Sequence, residues 1–125
     1  MIYATRASPI IWKTVLVTSL AVITAGSLLP TQQLPDLAFD IWDKAQHAAG
    51  FGWLMFCGLM SHGWRDGGWR LAVALGAWGA VIELLQAWSG WRHGDLGDLA
   101  ADLLGIAVVL LIWRSVRPAA SQPRS

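Results

Sequence analysis

Cysteine and charged residues are scarce in this sequence, and each shortage excludes a class of protein. Cys57 is the only cysteine among 125 residues, which excludes an internal disulfide and a cysteine-based metal site. Charged residues make up 14% of the chain and hydrophobic residues 55%, with a mean hydropathy of +0.48. These values are wrong for an ordinary soluble domain and indicate an integral membrane protein. The formal net charge of +1 implies no basic surface for nucleic acid.

Four apolar segments are near the length that spans about 30 Å of hydrocarbon. They cover residues 9–29, 48–63, 69–88 and 99–113. The second and fourth segments are short, and they reach span length only if the polar residues at their starts, His47 and Asp98, lie partly inside the membrane. There these residues would line a shared cavity. The sequence therefore predicts an all-α membrane protein, a four-transmembrane-helix bundle. The bundle domain would occupy residues 1–117, followed by a disordered cytoplasmic tail over residues 118–125.

Two features of the first half leave room for other interpretations. Residues 30–46 mix apolar side chains with three aspartates, which favours an interfacial segment between spans one and two. The first apolar segment could instead be a cleaved signal peptide, since Arg6 and Lys13 lie ahead of its uninterrupted apolar run and the small residues 25–27 lie behind that run. Its apolar run is long for a signal peptide, and cleavage would leave three spans.

Topology follows from the distribution of lysine and arginine, which favour the cytoplasmic side. With four spans, seven of the nine basic residues share one side: Arg6, Lys13, Arg65, Arg70, Arg114, Arg117 and Arg124. Lys44 and Arg92 lie on the other side with most of the aspartates. Both termini are therefore predicted to be cytoplasmic, with residues 30–46 and 89–97 outside.

This topology brings the unusual polar side chains to the outer end of the bundle. They are Asp43, Lys44 and His47 at span two, Glu83 and Gln86 at span three, and Arg92, Asp98 and Asp102 at span four. Asp43 lies one turn before His47, which permits a hydrogen bond that fixes the imidazole tautomer. Gly79 and Gly90 would allow another helix to approach Glu83 closely. We therefore expect one polar pocket that is built by three helices.

Each of these residues also has a purely structural interpretation. Asp43 and Lys44 could be interfacial charges, and His47 a residue satisfied at a helix start. Glu83 and Gln86 could link helices, while Arg92 could extend its guanidinium to the interface. On a helix, Asp95, Asp98 and Asp102 fall within roughly 60° of one another, followed on the same face by Gly105. Charge is costly at membrane depth, so this acidic stripe should face the bundle interior.

Three motifs together resemble those of the VanZ-like family of small bacterial membrane proteins, named for a teicoplanin-resistance protein. The motifs are Asp43-Lys44-Ala45-Gln46-His47, Glu83-Leu84-Leu85-Gln86, and Arg92 followed by Asp98-x-x-x-Asp102-x-x-Gly105. Their order and spacing carry the resemblance, which covers residues 43–105. It implies a plasma-membrane location and a link to the cell envelope or glycopeptide tolerance, and it implies no agreed reaction.

The chain departs from the family pattern at Asp102, where asparagine is usual. A protonated aspartic acid offers one donor and one acceptor, much as an amide does, so we expect Asp102 to be neutral and structural. Gly94-x-x-x-Asp98-x-x-x-Asp102 is also similar to the second half of the CDP-alcohol phosphotransferase motif, whose carboxylates hold divalent metals. The first half of that motif is absent. No metal-ligand residues are therefore assigned and no cofactor is identified from the sequence, although metal binding stays open.

Taken together, these residues favour an outward-facing pocket that recognises an envelope component with a lipid-linked or anionic headgroup. Its predicted binding residues are Lys44, His47, Glu83, Gln86, Arg92, Asp98 and Asp102, with Arg92 and Lys44 as anion contacts. The alternative is an enzyme acting on an envelope lipid, with His47 and Asp43 as general base, Glu83 or Asp98 as acid, and possible assistance from a metal. A third interpretation is a purely structural helix bundle. Membrane lipid is the expected partner, and the sequence identifies neither the ligand nor an oligomeric state.

Overall fold

The computed structural model describes residues 8–30, 37–61, 66–90 and 93–117, with side chains of the second range described from residue 41 onward. Every regular element in these ranges is an α-helix. The helices are α1 (Pro9–Leu28), α2 (Leu37–Ser61), α3 (Trp69–Ser89) and α4 (Leu96–Val116). Three of them, α1, α3 and α4, are long and apolar enough to cross a membrane. The predicted all-helical architecture is confirmed for these ranges, whereas the predicted tail lies outside them.

Local signals in the sequence set several helix ends. Pro9 occupies the first turn of α1, where its missing N–H costs no hydrogen bond, and the Ser8 hydroxyl accepts from the Ile10 N–H. Gly90 ends α3 with φ at 81°, in the left-handed region that favours glycine. Among the described residues, a Cβ at Gly90 would meet nothing within 4 Å, so none of the four helices makes the predicted close approach there. Its role is to end the helix.

The second helix begins well before the predicted apolar segment. Hydropathy predicts the segment at residues 48–63, whereas α2 extends from Leu37 to Ser61. Hydropathy marks the stretch that lipid tolerates, but the polar residues ahead of it continue the same helix. Residues 37–46, predicted to be interfacial, therefore form the first turns of α2. Residues 31–36 of that segment lie outside the described ranges.

The core of the bundle forms around α2. Phe51, Leu54 and Met55 of α2 are almost completely buried, against Ile82 of α3 and Ile106 of α4. No residue of α1 is fully buried, and that helix packs against the core through part of one face. In lipid, such cores are stabilised by close packing and interhelical hydrogen bonds rather than by water exclusion.

Indole hydrogen bonds attach α1 to its neighbours. The Trp53 indole N–H donates to Ser19 Oγ at 3.0 Å, and the Trp78 indole N–H donates to Thr24 Oγ1 at 3.0 Å. Each bond joins an α1 hydroxyl to a different helix. They therefore fix the rotation of α1 against both α2 and α3.

The backbones of α2 and α4 approach each other closely through small residues. A Cβ added at Gly105 would collide with the carbonyl oxygen of Ala48, and one added at Gly52 would lie 3.4 Å from the Gly105 carbonyl oxygen. Only glycine permits this crossing at position 105. The contact lies one residue beyond His47, so it brings the start of α4 against the polar part of α2.

The outward surfaces of the helices are apolar. Large exposed side chains include Val17 of α1, Leu84 of α3, and Leu104 and Leu111 of α4, each 61–70% exposed. So many large apolar side chains exposed on three helices are unusual for a soluble monomer and typical of helices that face lipid.

Candidate functional site

Polar side chains of α2, α3 and the start of α4 converge at one end of the bundle. His47, Glu83, Asp98 and Asp102 are all more than nine-tenths buried there, and Asp102 is completely buried. We call these four residues, together with Asp43, Lys44 and Asp95, the polar cluster. The structure thus brings together six of the predicted site residues, which come from three helices.

His47 pairs with the deepest carboxylate of the cluster. Its Nδ1 lies 2.8 Å from Asp102 Oδ1, and its Nε2 lies 3.9 Å from Asp98 Oδ2. The sequence predicted that Asp43, one turn away on the same helix, would fix the imidazole tautomer. Asp102 of the neighbouring helix is the carboxylate at hydrogen-bond distance from Nδ1. A carboxylate of Asp43 lies within 4.8 Å of a ring nitrogen.

Lys44 lies at the rim of the polar cluster between two carboxylates. Its ammonium donates to Asp95 Oδ2 at 2.9 Å and to Asp98 Oδ1 at 3.3 Å. The side chains of Lys44 and Asp95 are 31% and 45% exposed, so both are accessible at this rim. The Lys44 ammonium is the main cause of a lowered pKa at Asp95, and the Gly97 backbone N–H acts in the same direction. Any anion bound by Lys44 would share its ammonium with these carboxylates.

Asp95 and Glu83 connect α3 to the start of α4. The Asp95 carboxylate accepts from the Gly97 N–H at 2.7 Å as the N-cap of α4, while its own N–H donates to Glu83 Oε2 at 2.8 Å. Gly94 makes this possible, because a Cβ there would lie 2.7 Å from the Glu83 carbonyl oxygen. Asp95 was not among the predicted site residues, although an aspartate directly before an apolar helix is an N-cap signal.

Of the two remaining predicted site residues, one contacts a different part of the bundle and the other is not among the described residues. Gln86 turns to α1, where its side-chain amide donates to the Ser27 carbonyl oxygen at 2.7 Å. This contact fits the alternative interpretation of Gln86 as a link between helices. Arg92 lies outside the described residues. A buried cation near these carboxylates is expected from the sequence to pair with Asp98 or Glu83, and this pairing of Arg92 stays a prediction.

Several buried oxygens at this end of the bundle lack hydrogen-bond partners among the described residues. They are Glu83 Oε1, Asp102 Oδ2 and Gln86 Oε1. Two sets of side chains also have the spacing of metal ligands, with their ligand atoms within 4.8 Å of one another. One set is His47, Glu83 and Asp102, and the other is Asp43, His47 and Asp98. Unpaired buried oxygens are costly, so their presence at this end of the bundle needs an explanation.

Two open grooves between helices are apolar. The groove between α2 and α4 is lined by residues that include Ala48, Ala49, Gly52 and Val108. It begins one residue after His47 and therefore borders the polar cluster. The second groove lies between α3 and α4 and includes Ala77. The sequence predicted a polar pocket and gave no indication of these apolar grooves, because they depend on how the helices cross.

Searches of protein-family models, curated proteins and solved structures found no match to this chain. The fold and the site therefore define its class. It is a helical bundle with three helices able to span a membrane and a buried polar cluster at one end.

Proposed function

We propose that this chain is a multi-pass protein of the bacterial plasma membrane and a member of the VanZ-like family. In this proposal both termini are cytoplasmic, and the polar cluster faces the outside and binds the headgroup of a lipid-linked envelope component. One observation carries the proposal: side chains of three helices form a buried polar cluster at one end of a bundle whose outer surface is apolar. Burying so much charge in a small membrane protein is costly, which favours a functional role.

The groove between α2 and α4 supports a lipid as the ligand. Its lining is apolar, and it begins at Ala48, directly beside His47. An acyl or prenyl chain that lay in this groove would place its headgroup against the polar cluster. The groove and the cluster together therefore match the two parts of one lipid molecule.

The rim of the cluster indicates the chemistry of the headgroup. The Lys44 ammonium fits an anionic group such as a phosphate, and the exposed Asp95 carboxylate beside it accepts from hydroxyl or amino groups. A sugar or amino group linked through phosphate to a lipid carries both. Arg92 would add a second cation, and the resemblance to the VanZ-like family connects such a lipid with glycopeptide tolerance.

Lipid retention tests this proposal with a pair of matched variants. The full chain is placed in nanodiscs of phosphatidylglycerol with a polyprenyl phosphate, and native mass spectrometry detects the lipid that remains bound. Ala49→Phe fills the α2/α4 groove and should abolish retention of the polyprenyl phosphate. Ala77→Phe makes the same change in the α3/α4 groove and should leave retention unchanged.

Two outcomes contradict the proposal. One is equal retention in wild type and Ala49→Phe, and the other is release of the lipid by Ala77→Phe alone. The role in tolerance is tested separately, by teicoplanin susceptibility of a bacterial host that expresses the wild type or Lys44→Met. The wild type should raise the tolerated concentration, and Lys44→Met should not.

A second candidate function is an enzyme acting on an envelope lipid. The observation that favours it is the His47–Asp102 pair, because a buried carboxylate on Nδ1 orients an imidazole as a general base. The polar cluster holds no serine or cysteine, so the base would activate water or a substrate hydroxyl. Turnover of a radiolabelled polyprenyl diphosphate, lost in a folded His47→Gln variant, would favour the enzyme; binding without turnover would favour the receptor.

A further inference from the structure

We infer that His47, Glu83 and Asp102 form a binding site for one divalent transition-metal ion. These residues come from α2, α3 and α4, and each offers a ligand atom within 4.8 Å of the other two. The inference does not depend on the proposed lipid ligand. The metal ion would occupy the deep part of the polar cluster, whereas the lipid headgroup would contact the rim at Lys44 and Asp95.

The unpaired oxygens carry this inference. Glu83 is 7% exposed and its Oε1 has no hydrogen-bond partner among the described residues. Asp102 is completely buried and its Oδ2 has none either. The second oxygen of each carboxylate already has a partner: Glu83 Oε2 accepts from the Asp95 N–H, and Asp102 Oδ1 pairs with His47 Nδ1. One oxygen of each residue is therefore left for a ligand. A bound metal requires Asp102 as the charged carboxylate, in contrast to the neutral, structural Asp102 that the sequence favours, and the effect of Asp102→Asn on metal binding distinguishes the two.

Gly79 leaves space beside the free oxygen of Asp102. A Cβ at position 79 would lie 2.9 Å from Asp102 Oδ2, closer than carbon and oxygen ordinarily approach. Any larger residue would push against this carboxylate or displace it. The glycine thus lets Asp102 reach its position between α3 and α2.

The neighbouring set of Asp43, His47 and Asp98 is a weaker metal site. Asp98 Oδ1 accepts from the Lys44 ammonium at 3.3 Å, so a positive charge already lies against that carboxylate. A metal ion there would be repelled by the ammonium. The unpaired carboxylate oxygens, moreover, belong to the deeper set. Asp98 would instead influence the metal from outside its ligand shell.

The donor atoms indicate the class of metal. One imidazole nitrogen with two carboxylates suits Zn²⁺, Mn²⁺ or Fe²⁺, whereas Ca²⁺ and Mg²⁺ prefer oxygen alone. By the usual order of divalent affinities, Zn²⁺ should bind more tightly than Mn²⁺. Three protein ligands also leave a position for water.

Mn²⁺ titration of the full chain tests this inference. The protein is purified in detergent and stripped with EDTA, and free Mn²⁺ is measured by electron paramagnetic resonance. We expect one Mn²⁺ per chain, displaced by Zn²⁺ and not by Ca²⁺. Glu83→Gln and Asp102→Asn should each weaken Mn²⁺ binding by about 100-fold, because each change removes a direct ligand. A loss of that size is at the upper end of what is typical when the removed residue only hydrogen-bonds to a metal ligand. Asp98→Asn should weaken it far less.

Two results would overturn the inference. One is the absence of saturable Mn²⁺ binding by the wild type, and the other is a larger loss in Asp98→Asn than in Glu83→Gln and Asp102→Asn. The wild type also provides a test that needs no variant, in case the substitutions impair folding. Pulsed resonance of bound Mn²⁺ should show coupling to one histidine nitrogen, and the absence of that coupling would contradict the assignment.

Discussion

His47 Nδ1 and Asp102 Oδ1 lie 2.8 Å apart, although 55 residues separate them in the chain. The pair joins α2 to α4 in the buried part of the polar cluster. The close contact of Gly105 with Ala48 lies just beyond it, so helix packing and polar pairing fix the same crossing. This relationship connects the stability of the bundle with the chemistry of the site.

Removal of either partner of this pair should destabilise the protein. His47→Ala leaves the Asp102 carboxylate buried without its partner, a change that typically costs about 3–5 kcal/mol. A double-mutant cycle with Asp102→Ala should give a coupling free energy of about 1–3 kcal/mol. Unfolding is followed in detergent with EDTA present, so that no metal contributes. His93→Ala, at an exposed position, is the control and should change stability by about 0.5 kcal/mol or less. Additive effects of the two variants would contradict the pairing.

Glycine at position 105 should be required for the crossing of α2 and α4. Gly105→Ala places a Cβ against the Ala48 carbonyl oxygen and should cost about 1–3 kcal/mol through overpacking. Gly26→Ala is the matched control in α1, because a Cβ there meets none of the described residues within 4 Å. It should leave stability unchanged or raise it by about 0.4–1 kcal/mol. Thermal melting in detergent compares the two, and a stable Gly105→Ala would contradict the packing described.

The start of α3 should contribute a pH-dependent part of stability. Asp66 accepts from the backbone N–H of Arg70 at 2.8 Å and from that of Gly68 at 3.1 Å, and these bonds, the first most strongly, lower its pKa. A carboxylate with a lowered pKa stabilises the fold above its unfolded pKa of about 3.9. That contribution is lost as pH falls through the folded value.

Comparison of wild type with Asp66→Ala measures this contribution. The difference between their melting temperatures should be constant above about pH 5 and should shrink below about pH 4. A difference that persisted unchanged down to pH 2 would show that the charge of Asp66 does not matter.

Arg92 should pair with Asp98 or Glu83, as the sequence predicts. Loss of one partner of a buried ion pair costs roughly 3–5 kcal/mol, so Arg92→Ala should lower stability more than Arg114→Ala does. Arg114 is exposed in the last turn of α4 and serves as the control. Equal melting temperatures of the two variants in detergent would argue against the pairing.

Much of the fold could be predicted from the sequence where a local signal exists. Pro9, with Ser8 before it, determines the start of α1 by itself. The start of α2 could not be predicted in this way, because hydropathy reports tolerance of lipid and not helix formation. The polar turns that begin at Leu37 are helical without being apolar.

The candidate site could be predicted as a set of residues but not as a set of pairs. Alternation of spans was enough to bring His47 and Asp102 to the same end of the bundle. Which carboxylate contacts the imidazole depends on the depth and rotation of α4 against α2, and these are set by the contact at Gly105. The contact of Gln86 could not be predicted either, since its partner is a backbone carbonyl of α1 and depends on how α3 packs against that helix.

Labelling in intact cells tests the central claim, that the polar cluster faces the outside of the cell, most directly. Cys57 is buried and is first replaced by alanine, so that an added cysteine is the only thiol. An impermeant maleimide should then modify His93→Cys, next to the polar cluster, in intact cells. It should modify Arg65→Cys only after the membrane is permeabilised. Labelling of Arg65→Cys but not of His93→Cys in intact cells would contradict this account.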